Sequence, residues 1–147
     1  MIAVDTNILF AAVHASTSGH VRARDFLERW RASDQMAVSE LVLAELYCLL
    51  RNAVVLTPPL AASEAASVCQ AFRRHPRWQV IGLPAESRRM HDQLWLHAAQ
   101  HQFKRTRIYD ARLALSLIAQ GVNEFATVNT RDFQGFGFTK VWNPLLR

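Results

Sequence analysis

Short apolar runs alternating with helix-length segments constrain this chain more than any other feature. Met1 to Val4, Met36 to Val38, Trp78 to Ile81 and Phe125 to Val128 each read as a short strand, and Phe138 to Trp142 alternates enough to be an edge strand ended by Asn143-Pro144. Parallel strands are buried on both faces, and each needs a helix-length crossover to return to the same end of the sheet. The pattern therefore predicts an α/β fold with a mostly parallel central sheet of about four to five short strands, flanked by helices on both faces. Residues 1–147 are expected to form a single domain, because 147 residues, half of them hydrophobic, build one sizeable core and are short for two.

Helix boundaries follow from caps and breakers. Ile8 to Val13 continues the first strand as a turn or two of helix, and His20 to Arg31 is helical with Val21, Phe26, Leu27 and Trp30 available for its buried face. Ser39 is placed as the N-cap, with Glu40 in the favourable first turn, of a helix running through Leu41 to about Asn52. A helix from about Leu60 to Arg74 ends at His75-Pro76, since proline disfavours helix at the residue before it. Pro84 opens another reaching about Gln102, with Met90, Leu94, Trp95 and Leu96 available for packing. Ile108 to Gln120 is strongly helical, and Gly121 stands where a left-handed C-terminal cap belongs.

Three carboxylates interrupt this apolar framework. Asp5 follows Ile-Ala-Val, Glu45 lies between Leu-Val-Leu-Ala and Leu-Tyr-Cys-Leu-Leu, and Asp110 precedes Ala-Arg-Leu-Ala-Leu. Burying an unpaired carboxylate is costly, and gathered like charges raise one another's pKa. Each acid taken alone has a bland account: Asp5 and Asp110 as helix caps, Glu45 reaching solvent. No Lys or Arg is spaced regularly with all three, so a shared divalent cation is the simpler remedy for the set. An all-oxygen site suits Mg²⁺, with Mn²⁺ as a substitute, whereas zinc usually recruits His or Cys. His97 and His101 lie four apart but lack the intervening glutamate of a zinc-protease helix.

The charge balance permits a polyanionic partner without proving one: seventeen Lys and Arg face twelve Asp and Glu, a net charge of +5. Arg107 and Arg112 flank Asp110, with Lys104 and Arg105 nearby, and are candidates for phosphate contact or, equally, a solvated face. Cys48 and Cys69 have no metal-type spacing and are expected to be reduced packing residues. With no apolar stretch near the roughly 18 residues of a membrane span, a soluble cytoplasmic protein is expected.

The segments VDTNILF (from Val4), SELVLAEL (from Ser39) and YDARLALSLIAQGVNEFATVNTRDF (from Tyr109), with the closing Val-Trp-Asn-Pro-Leu, resemble PIN-domain proteins of the VapC toxin group over nearly the whole chain. The resemblance implies a PIN-like three-layer fold and a Mg²⁺-dependent endoribonuclease, with Asp5, Glu45 and Asp110 as the acidic metal centre and Thr6 and Asn7 supporting it beside the first aspartate, where substrate binds. The family often has a fourth acidic residue after the late strand. The aligned position here is Asn129, which the reading favours near the metal, with Asp132 the alternative or a cap of the turn before Phe133. The resemblance also implies an RNA substrate cleaved by metal-activated water, a cognate antitoxin and a homodimer. The rival reading is a catalytically inactive module of the same fold that binds RNA or a partner.

Overall fold

The computed structural model describes residues 1–147. Five strands, β1 (Ile2–Val4), β2 (Met36–Ser39), β3 (Gln79–Ile81), β4 (Glu124–Ala126) and β5 (Lys140–Trp142), form one sheet in the order β3-β2-β1-β4-β5. Every neighbouring pair is parallel, with Ile2 in register with Met36 on one side and with Glu124 on the other. Six helices connect them: α1 (Thr6–Val13), α2 (His20–Trp30), α3 (Glu40–Leu50), α4 (Ala62–Arg73), α5 (Ser87–Ala98) and α6 (Ile108–Ala119). Short 3-10 turns at Arg105–Arg107 and Thr130–Phe133 precede α6 and follow β4.

From β1 the chain winds outward to β2 and β3, then returns to the other side of β1 for β4 and β5. Right-handed crossovers running in opposite directions put their helices on opposite faces. Accordingly α1 packs on α2 and α3, and α3 on α4, while α5 and α6 pack on each other as a separate pair. The direction reverses between β1 and β4, and the crevice beyond the C-terminal ends of the strands at such a switch point is where α/β sheets bind ligands. The residues leaving those two strands are Asp5 and Thr127.

Val4, Ile8, Leu9, Met36, Val38, Leu46 and Phe125 are fully buried around the sheet. Phe125 lies 4.6 Å from the Phe133 ring and 5.3 Å from that of Phe138, so the late loop is anchored to the central sheet by aromatic packing. Ser39 caps α3 as the sequence predicts, accepting from the Leu41 amide at 3.1 Å.

Several local expectations are corrected. Val21, Trp95 and Leu96 are exposed, because each lies on the solvent side of a helix whose core face is carried by Phe26 and Leu27 or by Met90 and Leu94. Helix α5 is shorter than Pro84 to Gln102, starting at Ser87 and ending at Ala98. Strand β4 begins one residue early and stops at Ala126, short of Val128, whose amide turns to donate to Asn7 Oδ1 at 3.2 Å. Cys48 is exposed, whereas Cys69 is half-buried and donates to the Leu43 carbonyl at 3.4 Å.

Candidate metal centre

Asp5 leaves β1 in extended backbone geometry and serves as the N-cap of α1, so the sharp strand-to-helix junction fixes its side chain. Its Oδ1 accepts from the Thr6 amide at 2.8 Å; its Oδ2 accepts from Thr127 Oγ1 at 2.6 Å and Asn7 Nδ2 at 3.0 Å. At 6 % exposure the carboxyl is pushed up to about 6 by burial; the Thr127 and Thr6 hydrogen bonds pull the other way, and the Glu45 and Asp110 charges add to the rise.

Glu45 reaches the same region from α3, where its Oε2 accepts from Thr6 Oγ1 at 2.9 Å. The sequence places this acid inside an apolar run, yet it is exposed, because the helix turns Val42 and Leu46 into the core and carries position 45 off that face. Asp110 sits in the first turn of α6, where the helix dipole favours an anion. Its carboxyl is nevertheless pushed up to about 6, first by burial, then by the charges of Asp132 and Glu45, with Arg107 opposing.

The late strand supplies two further groups. Thr127 is fully buried and acts as a hub: its hydroxyl donates to Asp5 and accepts from Asn7 Nδ2 at 3.2 Å and from the Asn129 amide at 3.0 Å. Sequence reasoning missed it, although a threonine ending a buried strand beside the candidate site is a signal of that kind. Asn129 is exposed and its side chain makes no capping bond, whereas Asp132, in the following 3-10 turn, acts directly on the titration of Asp110.

The chain's ion pairs join Arg31 to Glu28, Arg73 to Glu40 and Arg89 to Glu86, so none neutralises Asp5, Glu45, Asp110 or Asp132. Of the basic residues expected to flank the site, Arg107 is turned inward, with Nη2 donating to the Asp132 carbonyl at 2.9 Å and the Gln134 carbonyl at 3.5 Å. Arg112 lies over the Tyr109 ring at 5.7 Å with its Nε shut away from water, while Lys104 and Arg105 are exposed. A hollow of about 450 Å³ between α5 and α6 is lined by Met90, Leu115 and Ile118 and by none of these acids.

No three His, Cys, Asp or Glu side chains close into a ready-made cage. An open, all-oxygen cluster of uncompensated carboxylates is nonetheless the donor set that Mg²⁺ takes, since that ion keeps several waters and is held by a few carboxylates plus substrate phosphate. The hydrogen bonds and charges that reach these acids involve neither His nor Cys, the donors zinc usually recruits.

The family model of the PIN domain matches residues 2–138. Ribonuclease VapC24 of Mycobacterium tuberculosis is 46% identical over 145 residues, covering 99% of this chain and 97% of that protein. Two solved structures share the fold. VapBC2 of Rickettsia felis, bound to a DNA fragment from its promoter, aligns with TM-score 0.69 and 21% identity over 97% of this chain and 98% of its own. VapC20 of Mycobacterium tuberculosis, a sarcin-ricin loop cleaving toxin, aligns with TM-score 0.63 and 20% identity over 85% and 87%. With its acidic residues gathered at the β1/β4 switch point of a parallel five-stranded sheet, the chain belongs to the PIN-domain family and, within it, to the VapC branch.

Proposed function

We propose that this chain is a Mg²⁺-dependent endoribonuclease, the toxin of a toxin-antitoxin pair, with Mn²⁺ as a substitute ion. The observation that carries the reading is geometric: the β1-to-α1 junction fixes the Asp5 carboxylate, Thr6 ties it to Glu45, and none of Asp5, Glu45, Asp110 and Asp132 is in an ion pair. The resemblance to ribonuclease VapC24 at 46% identity supports the choice of RNA.

Asp5, Glu45 and Asp110 are the residues that would hold the ion, with the half-buried carboxylate of Asp132 preferred as the fourth to the exposed amide of Asn129. When bound, the ion supplies a polarised phosphoryl oxygen and a water acidic enough to attack the phosphodiester. Thr6, Asn7 and Thr127 orient the Asp5 and Glu45 oxygens, so each carboxylate is held in one geometry. Lys104 and Arg105, exposed ahead of α6, would contact RNA phosphates.

The toxin reading brings a cognate antitoxin, a homodimer and a cytoplasmic site of action. Solved relatives of the same fold are toxin-antitoxin assemblies, which supports the antitoxin. The deciding experiment is cleavage of a panel of structured RNAs by antitoxin-free protein with Mg²⁺, with Mn²⁺ and with chelator, beside Asp5→Asn/Asp110→Asn. Metal-dependent cuts lost in the double variant are expected; absence of cutting by well-folded protein would turn the reading to a binding module. A monomer by size exclusion would count against the dimer.

A further inference from the structure

We propose that Arg107 is a positioning residue of the acidic centre: it clips the 3-10 turn bearing Asp132 onto the start of α6, which bears Asp110, and is not a phosphate contact. The inference rests on the metal-centre reading above and deepens it. Arg107 Nη2 donates to two carbonyls of one loop, that of Asp132 at 2.9 Å and that of Gln134 at 3.5 Å. Its guanidinium carbon lies over the Phe103 ring at 5.8 Å and the Phe136 ring at 5.1 Å, and its Nε is shut away from water without a partner.

The surrounding chain is shaped to make this clip. Gly135 and Gly137 adopt positive φ of 85° and 121° on either side of Phe136, folding that ring back so that it is 9 % exposed, with His97 of α5 packed 5.1 Å from it. Arginine suits the place because a planar, weakly hydrated cation can stack on aromatic faces while its edge feeds two acceptors. With Nη2 committed to carbonyls, the end-on fork that grips a phosphate in two places is not free. What Arg107 does control is the placement of two carboxylates, because nothing else among the polar contacts of this loop ties the Asp132 turn to α6. Its two hydrogen bonds hold that turn by its backbone.

The test compares full-length wild type, Arg107→Met and Arg107→Lys in two assays: Mn²⁺ binding to metal-free protein, followed by the spin resonance of free Mn²⁺, and binding of a single-stranded RNA in chelator across a salt series. Both variants are expected to bind Mn²⁺ about 10- to 100-fold more weakly, the range seen when a residue supporting a metal ligand is lost. The salt slope for RNA is expected to stay unchanged. Lysine keeps the charge but not the two-acceptor edge or the stacking plane, so it decides the matter even if Arg107→Met folds poorly. Mn²⁺ affinity within twofold of wild type in Arg107→Lys would overturn the proposal, as would a slope reduced by about one in Arg107→Met and restored by lysine, the mark of a phosphate contact. Wild type and Asp5→Asn binding Mn²⁺ equally would instead remove the metal-centre reading itself.

Discussion

The Asp5 carboxylate caps a helix and still carries a charge that no cationic side chain pairs with. The rise from 3.8 to about 6 disfavours its ionised form by on the order of 2–3 kcal/mol at neutral pH. Asp5→Asn keeps a capping oxygen and removes that burden. In chelator at pH 7.5 the variant should melt no lower than wild type and up to several degrees higher, while metal-dependent cleavage falls by about 100-fold or more. A lower melting temperature would show that hydrogen bonding at Asp5 outweighs its desolvation. Thr127 makes the converse case. Thr127→Val matches it in shape but removes the 2.6 Å bond to Asp5, and should cost roughly 1.5–3 kcal/mol with cleavage reduced 10- to 100-fold. Thr127→Ser, which restores the hydroxyl, should recover most of both.

At the scale of elements, the site is assembled from ends. Asp5 follows β1, Thr127 follows β4, Asp110 opens α6 and Asp132 lies in the turn after β4, so each acid or its support sits where backbone changes type. Such junctions demand particular backbone angles. Gly137, at φ 121°, has only ordinary contact with Ile118 Cδ1 at 3.7 Å where a Cβ would project, so Gly137→Ala is resisted by the backbone and not by crowding. It should destabilise by about 1–3 kcal/mol, measured by urea unfolding. It should also weaken Mn²⁺ binding, because the strain falls on the loop that folds Phe136 over Arg107. Stability lost with Mn²⁺ affinity unchanged would separate the loop from the acidic centre.

For the molecule as a whole, the two raised carboxyls set the pH response. Both have folded values of about 6 against 3.8, so the folded state binds more protons than the unfolded between those limits. Their contribution to stability is complete below about 3.8 and is lost as pH rises through about 6. His75, pushed down by burial and by Arg31, acts in the opposite sense, but it is a single group against two. Metal-free protein should therefore lose melting temperature between pH 5 and 7 in low salt, the shift reflecting on the order of a few kcal/mol. Millimolar Mg²⁺ should flatten that decline and Asp5→Asn/Asp110→Asn should abolish it. An unchanged slope in the double variant would assign the pH response to other groups.

The class of fold and three of the candidate acids are legible in the chain's local chemistry. Asp5, Glu45 and Asp110 stand out because a charge in an apolar run is unusual at the level of neighbours in the chain, and strand-helix alternation with Ser39 and Gly121 as caps is written in local chemistry. Tertiary structure decided what depends on residues far apart in sequence. Thr127 meets Asp5 across 122 positions, the charge of Asp132 reaches Asp110 from 22 positions on, and Arg107 turns inward to a loop 25 residues away instead of outward to solvent. It also decided that Glu45 is exposed and that Val21, Trp95 and Leu96 face water. Periodicity marks which residues can be buried, but only the packing of helix on sheet fixes which face is covered, and hydrogen bonds closing such long loops leave no pattern in the sequence between their ends.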